Sequence, residues 1–136
     1  MKKIFFLLLI TLAVVSCSKK SDSPSASAYS NKLALGTGLN PSNPFELTGV
    51  GTTFLVSSVI YFRLESADDM GGSKIRIQID KQDGTPYSTV PDYDNPQSYG
   101  HIFLSGFSLP DKGSYKATGI LVTGLKTVAS VNFTLN

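Results

Sequence analysis

Residues 74–80 read Lys-Ile-Arg-Ile-Gln-Ile-Asp, with an isoleucine at every second position. Successive side chains of a β-strand point to opposite faces, so Ile75, Ile77 and Ile79 share one face while Lys74, Arg76, Gln78 and Asp80 share the other. On a helix the same pattern would be split, with Ile77 turned by about 200° from Ile75. The stretch predicts a strand with one buried and one wet face.

The same period runs outward in both directions. Over 58–65, Ile60, Phe62 and Leu64 alternate with Tyr61, Arg63 and Glu65; over 127–135, Ala129, Val131, Phe133 and Leu135 are expected inward and Ser130, Asn132 and Thr134 outward. Weaker strands are expected over 32–38, 85–90, 101–109 and 114–123, and no helical period is found from Asn31 onward. Asp83-Gly84 fits a two-residue type I′ hairpin, whose central positions both need positive φ, and Gly124 marks a second tight reversal. About seven short strands at this spacing predict an all-β, two-sheet antiparallel sandwich. Residues 40–56 fit least well. Pro41 and Pro44 confine them to loop or edge positions, with Phe45, Leu47 and Phe54 expected to cover one end of the core.

One local pattern sharpens this expectation. Asp111, Gly113, Tyr115 and Ala117 follow D-x-G-x-Y-x-A, which resembles the tyrosine corner of immunoglobulin-like domains, with Ala117 where antibody domains carry their second cysteine. A tyrosine entering a strand there buries its ring and returns its hydroxyl to the backbone of the preceding loop, here around Asp111. The resemblance covers most of residues 59–135 and implies that 113–135 form the last two strands. The chain has one cysteine and no tryptophan, so the inter-sheet disulfide and the buried Trp of antibody domains are both missing.

The amino-terminal residues carry an address. Lys2 and Lys3 precede an apolar run from Ile4 to Val15 broken only by Thr11, which is shorter than the roughly 20 residues of a spanning helix. Val14, Val15, Ser16 and Cys17 then resemble the lipobox of bacterial lipoproteins, with Val14 where Leu is frequent and Val15 where Ala or Ser is frequent. The resemblance implies a signal peptide over 1–16, removed before Cys17, and a Cys17 sulfur joined to diacylglycerol. Two or three acyl chains at about 0.8 kcal/mol per methylene make a firm anchor. Residues 18–28, SKKSDSPSASA, read as a flexible tether, so the expected organisation is 1–16 signal, 17–30 lipidated cysteine and tether, 31–136 sandwich domain. The run after Cys17 is similar to the start of Bacteroides and Flavobacterium lipoproteins, which implies an outer-membrane protein on the periplasmic or outer side.

Charge and motifs exclude several function classes. The chain carries a net +2, and loss of Lys2 and Lys3 with the signal leaves zero, so no basic surface remains for nucleic acid. No His and Cys cluster suits zinc, and no glycine-rich loop opens a helix to cradle phosphate. Asp68, Asp69, Asp92 and Asp94 are expected in loops at one end of the sandwich, with the alternating oxygens of Pro-Asp-Tyr-Asp-Asn a candidate calcium site, although calcium wants six to eight ligands. Tyr87, Tyr93, Tyr99 and His101 concentrate in one stretch, and exposed tyrosines suit stacking on a sugar or a protein contact; Tyr93, Tyr99 and His101 are the candidate ligand residues. His101 is the only histidine, and no nucleophile-elbow serine accompanies it, so a catalytic arrangement with Asp92 or Asp94 has no supporting motif. The expectation is a non-catalytic binding or structural module without a cofactor, whose partners are the membrane, through its lipid, and an envelope protein or glycan. A glycan-binding accessory lipoprotein and a small envelope hydrolase are the alternatives.

Overall fold

A computed structural model describes residues 28–89 and 91–136. The expected signal peptide, Cys17 and nearly all of the expected tether lie outside the described residues. The strands are β1 (Lys32–Gly36), β2 (Gly38–Asn40), β3 (Asn43–Thr48), β4 (Thr53–Phe54), β5 (Ile60–Glu65), β6 (Lys74–Lys81), β7 (Pro86–Thr89), β8 (Tyr93–Asp94), β9 (Ile102–Phe107), β10 (Gly113–Leu121) and β11 (Lys126–Leu135). One sheet runs β1-β5-β9 and the other β4-β11-β10-β6-β7, with β8 also beside β6. All pairs are antiparallel except β4 with β11, which is parallel. The fold is an all-β sandwich.

The alternation explains the packing. Ile75, Ile77 and Ile79 of β6 are fully buried and, with Ile60, Phe62 and Leu64 of β5, belong to one core. Each such side chain contributes roughly 1.5–3 kcal/mol when removed from water. Phe62 lies between Phe103 and Phe107 at ring separations of 5.9 and 6.2 Å, and Phe133 lies beside Phe107 and Tyr115. A Cβ on Gly119 would meet Leu64 Cδ1 at 2.5 Å, so a glycine on β10 is what admits Leu64 from the facing sheet.

Three sequence expectations change in detail. In β11, Phe133 and Leu135 are buried and Ala129 and Val131 pack half-buried against the core, but Val128 is buried as well. The register shifts there, with Gly119 opposite Ala129 and Ile120 opposite Thr127, so Val128 is the extra residue of a β-bulge. The turn between β6 and β7 is not type I′. Gly84 has a φ of 88° but Asp83 is not among the residues with positive φ; its carboxylate instead accepts the Thr85 amide at 2.8 Å, and Gly84 N–H donates to the Lys81 carbonyl. That is a turn closed by an aspartate side chain followed by one left-handed glycine.

Residues 40–56 give the third change. Pro44 lies in the small β2–β3 hairpin, and only Phe54 joins the core. Phe45 and Leu47 stay half-buried outside it, because β3 lies against the outer face of β1 and β5. Ala34 and Gly36 leave room there: a Cβ on Gly36 would meet the Thr48 carbonyl oxygen at 2.6 Å. The Arg63 guanidinium donates to the Phe45 carbonyl at 2.8 Å and so fastens the hairpin. Among the described residues no helix is long and apolar enough to cross a membrane.

Candidate functional site

The loops from β5 to β6 (66–73), from β8 to β9 (95–101) and from β10 to β11 (122–125) meet at one end of the sandwich, beside the start of β1. Backbone bonds knit them: Gly72 N–H donates to the Asn95 carbonyl at 2.8 Å, Met70 N–H to Gly100 at 2.9 Å and Asn95 N–H to Ser73 at 2.9 Å. Asn95 is almost wholly buried, and its side-chain amide donates to the Met70 carbonyl at 3.1 Å and to Gly100 at 3.4 Å. Contacts reach back to residues 29–31. Tyr29 stacks on His101 at 4.6 Å, Ser30 N–H donates to the Glu65 carboxylate at 2.8 Å, and the Asn31 side-chain oxygen accepts the Ala67 amide at 2.9 Å.

The four aspartates of the calcium expectation lie at this end, but each has its own partner. Asp68 pairs with Lys126, Asp92 takes a two-pronged bond from Arg76 at 2.7 and 2.9 Å, and Asp94 pairs with Lys74 at 2.8 Å. Asp69 accepts the Gly71 amide at 2.7 Å. The bonds from Lys126 and Arg76 hold the carboxyls of Asp68 and Asp92 below the usual range, and the bond to Asp94 raises the Lys74 ammonium. These carboxylates form no shared ligand set, and among the described residues no group of three or more His, Cys, Asp or Glu is arranged to hold a metal.

The aromatic candidates are also engaged within the fold. Tyr93 is half-buried against Phe103 at 5.7 Å, and His101 presents Nδ1 to the Ser66 carbonyl at 3.0 Å beneath Tyr29. Tyr99 is 39% exposed and meets Phe45 edge-on at 5.0 Å. The structure brings Tyr93 and His101 to the same end as Tyr99 but not onto one open surface. Tyr87 lies at the opposite end of β6, where its hydroxyl donates to the Asp111 carboxylate and is held above its ordinary pKa by that bond. Tyr115 is 1% exposed, and its hydroxyl donates to the Asp111 carbonyl at 2.9 Å. Asp111 thus joins two tyrosines at the base of the domain.

That base carries what the sequence reading missed. A groove of about 260 Å³ lies between Thr37, Thr53, Phe54, Leu55, Ser58 and Asn136. Leu55, which lines it, is 70% exposed, and Val59, next to Ser58, is 52% exposed. The signal was present in Phe54-Leu55-Val56: three consecutive apolar residues cannot all face inward from an extended chain, and Phe54 takes the core. A more open depression of about 410 Å³ crosses the polar outer face of β10 and β11 beside Gln82, Lys116 and Asn132, with no apolar wall comparable to the first.

No protein-family model matches this chain, and no curated protein is significantly similar to it.

Proposed function

We propose that this chain is a lipid-anchored, non-catalytic binding or structural module of the bacterial cell envelope, built on an immunoglobulin-like sandwich. Strand order supports the fold reading. If β1, β5 and β9 correspond to A, B and E, and β6, β10 and β11 to C, F and G, the two sheets divide as immunoglobulin sheets do, and Tyr115 stands near the start of F. The non-catalytic reading is supported by His101, whose ring faces a backbone carbonyl and a tyrosine rather than a nucleophile.

The observation that carries the reading is the position of Tyr29 and Ser30 at the knitted loop end, with exposed Leu55 and Val59 at the other. A lipid on Cys17 would keep the loop end, on average, nearer to the bilayer, through a flexible segment of roughly 35 Å. The groove end would then be the more accessible contact surface, for a protein partner. The glycan alternative ranks second because only Tyr99 of its three residues presents much open surface.

Two measurements test this. Cys17→Ala should abolish labelling by a fatty-acid probe, and persistent labelling would remove the anchor. A photo-crosslinking residue at Leu55 should give a discrete adduct in intact cells while one at Tyr99 gives none; the reverse pattern would transfer function to the loop end.

A further inference from the structure

The sandwich manages its sheet edges unequally. A strand edge offers unpaired N–H and C=O groups to any other chain, and proteins blunt it with short strands, proline, bulges, charges or a covering segment. The β4 edge is two residues long; β7 is four residues long, begins at Pro86 and is bulged against β6. β11 is closed by β4 at one end and carries the Val128 bulge at the other. The outer edge of β1 is tied down by the chain itself, with Gly51 N–H donating to the Leu35 carbonyl at 3.1 Å and Thr37 N–H to the Thr48 carbonyl at 3.0 Å.

β9 has none of these devices. It is six residues long, Ile-Phe-Leu-Ser-Gly-Phe, without proline, charge or bulge, and among the described residues no strand pairs its second edge. The bond from Ser66 N–H to the His101 carbonyl sets the phase of the β5–β9 ladder. Residues 103, 105 and 107 therefore turn their backbone groups toward β5, and Ile102, Leu104 and Gly106 turn theirs outward.

We propose that this edge pairs antiparallel with the same edge of a second copy of the chain, about a two-fold axis at Leu104. This inference goes beyond the anchored-module reading and does not depend on it. The three outward-facing residues are centred on Leu104, so Leu104 falls opposite Leu104 and Ile102 opposite Gly106 of the second copy. In that register every outward N–H and C=O from 102 to 106 is satisfied on both strands. A two-fold axis at Leu104 sets that residue against its own copy, where a charge would repel itself, and the uncharged strand meets no such repulsion. Val59 and Tyr61 already cover Gly106, where a Cβ would lie 3.3 Å from Val59 Cγ1 and 3.6 Å from Tyr61 Cδ1, so Ile102 of the second copy would stand beside these two side chains. Because β9 is the one long edge left undefended among the described strands, the pairing closes as a dimer and does not propagate. The result is one six-stranded sheet, β1-β5-β9 joined to β9-β5-β1.

Hydrogen exchange on the full chain, read residue by residue at roughly 20 µM and roughly 1 mM, tests the pairing. The amides of Ile102, Leu104 and Gly106 should slow by about tenfold or more at the higher concentration, while those of Phe103 and Ser105, already bonded to β5, change little. Leu104→Lys should abolish the concentration dependence and leave the melting temperature within a few degrees. If that variant does not fold, Ile102→Lys serves the same purpose. Concentration-independent exchange at the three amides overturns the proposal, as does a dimer that survives a folded Leu104→Lys. Protection that appears only with cell extract assigns the edge to a foreign strand and overturns self-pairing.

Discussion

The two ends of this sandwich have opposite characters, the loop end with its longer connections 66–73 and 95–101 and the base with the shorter 55–59, 82–85 and 108–112. At the loop end that receives residues 29–31, charged side chains are paired and backbone groups of one loop are bonded to the next. At the base, Leu55 and Val59 stand in solvent at or beside a groove, although Tyr87 and Tyr115 are tied to Asp111 at the same end. A loop end rich in acids and tyrosines looks like a binding surface when written as sequence. Partner availability is what separates the two: polar groups already matched inside the protein offer little to a ligand, whereas exposed apolar area gains by being covered.

The sharpest way to break this contrast is at Asn95. Its side chain is 1% exposed and its amide nitrogen faces two carbonyls, while its Oδ1 faces no donor among the described residues. Asn95→Asp would place a carboxylate against the Met70 and Gly100 carbonyl oxygens, costing about 3 kcal/mol at neutral pH. Burial without donors raises that carboxyl's folded pKa, so the protonated form is favoured by folding and the loss should shrink as pH falls. Denaturant midpoints at neutral and acid pH measure it. A loss that does not vary with pH would mean that the knitted end is open to water.

Much of the fold was legible before any coordinates, and the reason is local. Ile75, Ile77 and Ile79, like Ile60, Phe62 and Leu64, announce a half-buried strand by period alone, and each landed in the core. What failed to show depended on neighbours. The Val128 bulge is a property of β10 and β11 together, and no single-strand period contains it. The Asp83 turn was misread because its side chain competes with the backbone pattern that Asp-Gly suggests. The candidate site was less legible still. Asp68, Asp92 and Asp94 are spaced like ligands in the sequence, and their partners Lys126, Arg76 and Lys74 come from distant or facing strand positions that only pairing reveals.

Smaller in size is the effect expected at the base. Tyr115→Phe removes the hydroxyl that donates to the Asp111 carbonyl and keeps the ring against Phe133 and Tyr87. One hydrogen bond contributes about 1 kcal/mol net, so the melting temperature should fall by a few degrees. Tyr87→Phe tests the other bond to Asp111, and the two losses should not add, because both act on one residue. An unchanged midpoint for Tyr115→Phe would mean that the corner at the base contributes packing alone, which would narrow the difference between the two ends.

The smallest effect belongs to Glu65, which connects the chain before β1 to the hairpin on the outer sheet. Its carboxylate accepts Ser30 N–H and pairs with Arg63, which in turn holds the Phe45 carbonyl. The Ser30 amide, and after it the Arg63 guanidinium, hold the carboxyl below its ordinary value of 4.5 against the opposing effect of burial. A carboxyl lowered in the folded state contributes stability that is fully present above 4.5 and is lost as pH falls through the lower folded value. Glu65→Gln should therefore cost about 0.5 kcal/mol at neutral pH, with the difference from the native chain vanishing in strong acid. The same substitution should speed exchange of the Ser30 amide at neutral pH and leave Gly72, in the neighbouring loop, unaffected. Equal acceleration at both would mean that the loop end opens as one unit, and that residues 29–31 are part of its cooperative structure rather than a strap laid across it.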